Sequence, residues 1–407
     1  MTTLPPSNSW AVALAQEWLT ELDAWFEKNG TTGYDPFDIK AHPLIRRMQS
    51  RCWPRRCSSV AADLFPLALR HALGIQPTEN PKTHALLALG KLRLYQRYGG
   101  DYWREGAETH LDWLAGRAAS GHSGMCWGYP FDVTALGLHT PAGTPVLVVS
   151  AIAGEAFSLA WDLFKKPAHR EAVLSIAAFI RNDLPRMEDA KGGFCFGYTP
   201  QDQRRVHNAN LLAVEHLLRA ATLGPDPALA EEILPALEFT LRAQRPDGAW
   251  PYGHWVEGDP HEPGLLSMVD HHHTGFVLRS LHAVDRMRPS RGTKDALQLG
   301  WDHYRKRLLL PTGMPVGATG RWPVDIHACA EAVLCPAVLS ERFPGTQMPA
   351  TLAMRWAWGA LRDPATGAAW YRKYPLVTSK ICFPRWGAAW MFRALAEYQY
   401  RYADSPY

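Results

Sequence analysis

The feature that most constrains this chain is a unit that recurs five times between residues 124 and 402. Each unit opens with a short segment rich in glycine and aromatic residues, continues into an apolar helix and closes with an amphipathic helix. An interval of roughly 50 to 70 residues is typical of architectures that stack helical hairpins. The five openings lie at 124–130, 193–198, 248–253, 320–323 and 367–371.

The two kinds of helix predict two layers. A helix that is apolar all round must be buried, whereas a helix with one polar face can form an outer wall. The predicted inner helices are 144–161, 207–223, 272–287, 325–339 and 383–402, and a divergent first unit at 53–73 brings them to six. The amphipathic helices include 167–187, 226–245, 294–310 and 349–362.

Six inner and six outer helices predict an (α/α)6 toroid. The class is all-α, because no alternating pattern typical of a strand is longer than the short aromatic segments. We expect one domain over residues 1–407, in which 57–402 form the repeated hairpins. Residues 1–56 would supply an N-terminal helix and a segment suited to act as a lid over the mouth.

Composition excludes several classes of protein. A hydrophobic content of 47% with 20% charged residues supports a large core. The net charge of +4 and the absence of a Lys/Arg-rich run argue against a nucleic-acid partner. We expect no signal peptide and no membrane span, since no window has 18 uninterrupted apolar residues. Seven scattered cysteines without a CxxC pair favour reduced thiols and a cytoplasmic location.

Polar residues cluster where each predicted inner helix begins. If these helices run parallel, their first turns meet at one end of the toroid. Asp270 and Asp325 are also natural N-cap residues, but a cap needs no histidine or arginine. The clusters therefore predict a functional site at this mouth. They comprise Arg204, Arg205, His207, Asn208 and Asn210; Asp270, His271, His272 and His273; Asp325, His327 and Glu331; and Lys380, Arg385 and Trp386.

Proton transfer at a sugar carbon is the first chemistry that this residue set favours. Removing a proton beside a carboxylate needs a base, and a cation or amide that stabilises the enolate. Tyr198 or Tyr252 with His207 or His272 is the predicted acid–base pair, and His327 is a further candidate. The several cations predict an anionic saccharide as the partner. The predicted substrate-binding residues are Trp127, Tyr129, Arg204, Arg205, Asn208, Asn210, Trp250, Trp322, Lys380, Arg385 and Trp386.

Three alternatives stay open. A glycosidase would need two carboxylates, for which Asp270 with Asp325 or Glu331 is the candidate pair. A metal site could use His271 or His272 with Asp325, His327 or Cys126. The toroid could also bind carbohydrate or assemble with partners without catalysis. We expect no metal and no cofactor, and the oligomeric state is left open.

The segment from Gln244 to Trp250, Gln-Arg-Pro-Asp-Gly-Ala-Trp, resembles the Q-x-x-D-G-x-W repeat of α/α-toroid proteins such as terpene cyclases. The Asp-x-Asp-Asp motif of the cyclising enzymes is absent, which argues against isoprenoid cyclisation. From about residue 53 to 402 the chain is more similar to toroids that act on carbohydrate, including uronyl C5-epimerases, polysaccharide lyases and six-hairpin glycosidases. This resemblance implies an epimerase or lyase that acts on a uronate-containing saccharide in polysaccharide metabolism.

Overall fold

The computed structural model describes residues 9–40, 42–49, 62–135, 138–224, 226, 228–256, 263–317 and 320–403. Helices dominate these ranges, and short strands occur between them. The helices are α1 (Ser9–Asn29), α2 (Pro43–Gln49), α3 (Pro66–Ala72), α4 (Pro81–Tyr98), α5 (Asp101–Ala115), α6 (Leu147–Phe164), α7 (Pro167–Asp183), α8 (His207–Leu223), α9 (Leu229–Glu232), α10 (Leu234–Arg242), α11 (Pro263–Leu266), α12 (His271–Met287), α13 (Arg291–His303), α14 (Ile326–Leu339), α15 (Gln347–Leu361) and α16 (Ala389–Tyr402). Two π-helical turns, Tyr304–Leu308 and Pro384–Ala388, extend α13 and precede α16.

Six inner helices form a closed ring. Helix α4 packs on α6, α6 on α8, α8 on α12, α12 on α14 and α14 on α16, and α16 returns to α4. Helices α6 and α14 are apolar almost all round, which fits their burial between two neighbours in the ring. Of the described helices, α6 alone is long and apolar enough to cross a membrane, and most of it is buried inside the ring.

The outer layer pairs one helix with each inner helix. Helix α5 packs on α4, α7 on α6, α10 on α8, α13 on α12 and α15 on α14. The sixth outer helix is α1, which packs on α16 and so joins the N-terminal helix to the last hairpin. Trp18 of α1 is fully buried at this seam, where its indole N–H donates to the carbonyl oxygen of Gly367 at 2.8 Å.

The first inner helix differs from the sequence prediction. Residues 50–61 lie outside the described part of the chain, and the rest of the predicted helix is the short α3, on which Leu67 is exposed. The inner position belongs to α4 instead. Its charged residues hid this role in the sequence, because burying a charge is costly unless the charge is paired. Lys91, for example, is buried through an ion pair of 3.0 Å with Asp23.

Short antiparallel strands tie the loops together at the end where the inner helices begin. β5 pairs with β6 and therefore joins the loops before α8 and α12, while β7 pairs with β8 across the loops before α14 and α16. The strands are β1 (Val133–Ala135), β2 (Leu138–Thr140), β3 (Arg186–Glu188), β4 (Phe194–Phe196), β5 (Arg205–Val206), β6 (Gly253–His254), β7 (Val324–Asp325), β8 (Arg372–Lys373) and β9 (Thr378–Ser379).

We predict that Trp18→Ala lowers the free energy of unfolding by about 3–5 kcal/mol, because it empties a fully buried site at the seam between α1 and α16. Denaturant titration measures the change. Leu376→Ala is the control, since Leu376 is 93% exposed and its loss should cost less than about 0.5 kcal/mol. Equal stability of the two variants would show that the seam does not hold the ring closed.

Candidate active site

A cavity of about 300 Å³ lies at the end of the ring where the inner helices begin. Every inner helix contributes to its wall from its first turns or from the turn just before it. The contributing residues include Lys82 of α4, Val148 of α6, Asn208 of α8, His272 and Phe276 of α12, His327 of α14, and Arg385 and Trp386 ahead of α16. The positive ends of these helix dipoles therefore converge on the cavity, which favours negative charge developing there.

Asp270 organises the start of α12. As the N-cap residue it accepts the backbone N–H of His273 at 2.8 Å, and its other oxygen lies 2.6 Å from His273 Nδ1. His272 Nδ1 lies 3.4 Å from the first oxygen. Burial alone would raise the pKa of Asp270, but His272, His273 and these hydrogen bonds outweigh it and hold that pKa well below its usual range. Asp270 is thus an ionised anchor for two histidines.

His272 and His327 face each other with ring centroids 4.8 Å apart. Burial lowers the pKa of His272 to about 3 and that of His327 well below its usual value. Both rings are therefore neutral near pH 7, and each has one nitrogen able to accept a proton. Neither ring nitrogen of His327 has a hydrogen-bond partner among the described residues.

Two tryptophans hold the ring of His327 in place. It stacks on Trp390 with centroids 4.6 Å apart and meets the edge of Trp386 at 4.7 Å. Asp325 accepts the Trp386 indole N–H at 2.7 Å and the backbone N–H of His327 at 2.8 Å. Asp325 does not line the cavity but caps α14 and also contacts Arg372 at 3.1 Å. Its position suits a supporting role for His327.

Three tyrosines also line the cavity: Tyr129, Tyr198 and Tyr252. Burial raises the pKa of Tyr252 to about 12, and it also raises the pKa values of the other two phenols. All three therefore keep their protons near neutral pH. They are suited to donating hydrogen bonds to a ligand, whereas the neutral histidines are better suited to accept a proton.

The arginines in the wall are already paired with carboxylates. Arg385 binds Asp35 through two hydrogen bonds, one of them 2.6 Å long, and Arg204 Nε lies 2.7 Å from an oxygen of Asp202. Lys380 is exposed and does not line the cavity. The described cavity therefore lacks the dense positive charge that the sequence suggested for this mouth.

The structure brings together about half of the predicted site residues. Tyr198, Tyr252, Asp270, His272 and His327 line the cavity among the candidate catalytic residues, as do Tyr129, Arg204, Asn208, Arg385 and Trp386 among the candidate binding residues.

Two further catalytic candidates lie away from the cavity wall, and both are buried structural residues. His207 is fully buried against Phe239, with Nδ1 3.3 Å from the Thr240 hydroxyl. Glu331 is fully buried and accepts two hydrogen bonds from Arg279, the shorter being 2.7 Å. Their helix-start positions misled the prediction, because an inner helix also turns residues towards its outer partner or its neighbours in the ring.

Several predicted binding residues also lie off the cavity. The indoles of Trp127 and Trp250 are buried and donate to the carbonyl oxygens of Leu114 and Thr240 at 3.0 Å each. Asn210 ties its own hairpin together, accepting from the N–H of Phe196 and donating to the backbone of α10. Arg205 lies in β5 and Trp322 is partly exposed beside Trp356.

Sequence reasoning missed Lys82 and Phe37, and it left the orientation of His273 open. Lys82 follows Asn80 and Pro81, which is a recognisable helix start, but α4 was not expected to be an inner helix. Phe37 reaches the cavity from the segment between α1 and α2. The sequence left open whether residues 29–56 cover the mouth as a lid, and Phe37 places part of that segment at the cavity.

Of the predicted metal ligands, His272 and His327 face each other, but among the described residues neither Asp325 nor Cys126 joins them in a three-ligand group. His271 turns away towards the Tyr304 hydroxyl, 3.5 Å from its Nδ1, and Cys126 is fully buried. The described group with metal-ligand geometry is Asp270, His272 and His273, whose ligand atoms lie within 4.8 Å of one another. The direct contact between Asp270 and His273 already satisfies two of these atoms.

Solved structures share this fold over nearly the whole chain. A sugar epimerase from a ruminal bacterium superimposes with a TM-score of 0.65 at 12% identity, covering 97% of this chain and 99% of that one. Cellobiose 2-epimerase from Bacillus thermoamylovorans B4167 gives 0.64 at 9% identity, with 95% and 99% covered. An unsaturated glucuronyl hydrolase specific for heparin gives 0.58 at 11% identity, with 96% and 97% covered.

No protein-family model and no curated protein sequence matches this chain. At such low identities the structural matches establish the fold alone. The predicted (α/α)6 toroid is therefore confirmed, as is its resemblance in architecture to the superfamily of α/α toroids that act on carbohydrate.

We predict that acid destabilises the protein through His272. The folded state keeps this ring neutral down to about pH 3, whereas the unfolded chain takes up its proton near pH 6.5. Between these values the unfolded state binds more protons, so stability falls as the pH falls. Denaturant titrations from pH 6 to 4.5 should show a shallower fall for His272→Asn, by up to about 1.4 kcal/mol per pH unit. An unchanged slope would contradict a neutral buried His272.

Proposed function

We propose that this chain is a sugar epimerase or isomerase that moves a proton at the carbon beside the carbonyl of a reducing saccharide. The observation that carries the proposal is the facing pair of neutral histidines, His272 and His327, in a cavity open to a ligand. Two solved structures that share this fold, a sugar epimerase and a cellobiose 2-epimerase, support the same class of reaction.

The reaction begins with a ring-opened sugar whose C1 aldehyde makes the C2 proton acidic. One neutral histidine takes that proton, and the electron pair moves onto the carbonyl oxygen to give an enediolate. The converging helix N-termini and the Tyr hydroxyl groups stabilise this oxyanion. Return of a proton to the other face of C2 gives the epimer. Delivery of the proton to C1, together with transfer of the O2 proton to O1, gives the ketose.

The two histidines have different environments, which suit one to remove the C2 proton and the other to act on the opposite face of C2. His272 is held by the ionised Asp270, which favours the imidazolium formed when His272 accepts a proton. Among the residues that the structure describes, no carboxylate contacts the ring of His327, and the stacked Trp390 holds this ring in position. We assign His272 as the base that first removes the C2 proton. We assign His327 as the group that exchanges a proton at the opposite face of C2.

The charges in the cavity favour a neutral saccharide over a uronate. Arg204 and Arg385 are each balanced by a carboxylate, so they offer less attraction to an anionic substrate. Uronate specificity, a lyase reaction, a role in polysaccharide synthesis and a cytoplasmic location stay predictions from the sequence.

The glycosidase alternative has less support. Hydrolysis by the common mechanism needs two carboxylates on either side of the scissile bond. Asp270 is the one carboxylate in the described cavity wall, and it is already bound to His273. Neither Asp325 nor Glu331, its predicted partners, lines that wall.

The test is deuterium exchange at C2. Cellobiose, glucose, mannose, N-acetylglucosamine and glucuronate are each incubated with the protein in D₂O, and products are analysed by NMR. We expect deuterium at C2 together with a C2 epimer or ketose from at least one neutral sugar. Absence of exchange at C2 in all five sugars would overturn the proposal, and exchange at C5 of glucuronate, beside its carboxylate, would instead support the uronate prediction.

His272→Asn and His327→Asn should each lower kcat by about 10²–10⁴-fold, because each removes a proton-transfer group. His122→Asn is the matched control, since His122 contacts Asp183 away from the cavity and should leave kcat within about twofold. Circular dichroism and thermal unfolding check that the variants fold. Full turnover in both cavity variants would exclude the histidine pair.

A further inference from the structure

Lys82 is a buried amine in the cavity with no role in the proton transfer described above. It is the second residue of α4, lines the cavity and is 3% exposed. Its side-chain nitrogen, Nζ, has no hydrogen bond and no ion pair among the described residues. Its Nζ lies over the ring of Trp390, 5.6 Å from the ring centroid.

The contrast with Lys91 on the same helix is informative. Lys91 is equally buried, but its Nζ lies 3.0 Å from a carboxylate oxygen of Asp23. That pairing is the usual condition for burying a lysine, because an isolated ammonium is costly to remove from water. Lys82 lacks this compensation, and it points into a cavity, where a ligand can reach it.

Three features disfavour the protonated form of Lys82. It is buried, it lies in the first turn of a helix where the dipole repels cations, and Arg385 adds a nearby positive charge. Burial makes the largest contribution and lowers the pKa of Lys82 well below its usual value. A neutral lysine carries a free electron pair and is a nucleophile towards carbonyl carbon.

Lys82 also lies close to the proposed proton-transfer groups. His327 stacks on Trp390, and the centroid of that same ring lies 5.6 Å from Lys82 Nζ. All three side chains line the same cavity of about 300 Å³. A carbonyl carbon held by Lys82 would therefore place the adjacent C–H within this group of side chains.

We propose that Lys82 Nζ forms an imine with the aldehyde carbon of the open-chain sugar. The identity of the carbonyl compound rests on the proposed function. The amine electron pair forms the C–N bond, both N–H protons leave with the carbonyl oxygen as one water molecule, and a C=N bond results. A histidine then removes the C2 proton, the C–H electron pair forms a C1–C2 double bond, and the C=N electron pair moves onto nitrogen. In this refinement of the proposed function the nitrogen replaces the carbonyl oxygen as the atom on which negative charge develops. Addition of one water molecule later restores the amine and releases the sugar.

Reductive trapping tests the imine in the unmodified protein. The full chain is incubated with sodium cyanoborohydride and either glycolaldehyde or mannose, then digested and mapped by mass spectrometry. Hydride from the reagent converts the imine into a stable secondary amine. We expect the Lys82 peptide to be labelled at least tenfold more than the peptides that contain Lys91 or the exposed Lys294. Labelling of Lys82 no greater than that of Lys294 with either compound overturns the proposal.

Two variants strengthen the test. Lys82→Met removes the amine but leaves a side chain of similar length. Lys82→Arg replaces the amine with a guanidinium cation, which cannot form an imine. Both should abolish labelling at position 82 and lower kcat at least tenfold, with folding checked by thermal unfolding. The surface change Lys294→Met is the control and should alter neither readout. Wild-type kcat in Lys82→Arg would overturn the catalytic imine, because a cation alone would then suffice.

The outcome is separable from that of the proposed function. Selective labelling of Lys82 by glycolaldehyde without epimerisation of any sugar supports the carbonyl-binding lysine and refutes the assigned substrate class. Epimerisation without trapped Lys82 keeps the histidine chemistry and refutes the imine.

Discussion

Closure of the inner ring is the constraint on which the rest of this structure depends. Helix α16 packs on α4 and so closes the ring of six inner helices. These helices share one orientation, and their first turns meet at one end. Side chains that lie far apart in the sequence, such as Lys82, His272 and Arg385, reach one cavity only through this closure. The N-terminal helix α1 covers α16 and buries Trp18 there, so the seam of the ring also depends on the first residues described.

Burial then decides the chemical state of the groups at the mouth. Where a carboxylate is in contact, as for Arg385 with Asp35, the cation persists in the interior. Where no described carboxylate contacts a basic side chain, as for His327, burial favours the neutral form of that side chain. A mouth with many basic residues in its sequence thus becomes a cavity of neutral bases and balanced ion pairs.

The repeat in the sequence was enough to predict the toroid, because hydrophobic period and helix length follow directly from burial. The repeat placed five inner helices close to their observed bounds but failed at α4. Lys91 on this helix is buried only because Asp23 of another helix pairs with it. For the site, the starts of the inner helices identified the correct end of the ring. They could not separate His272 from His207, since the direction of each side chain depends on helix rotation and on neighbours that the sequence does not reveal.

The short strands at the mouth have a consequence for how the specificity of such a ring can change. Each loop that carries β5 or β7 is hydrogen-bonded to the loop that precedes the next inner helix. A change of length in one loop would therefore displace the first turn of two neighbouring helices at once. Grafting a new loop onto this mouth would require the exchange of both paired loops together, so the rim behaves as coupled pairs and not as independent modules.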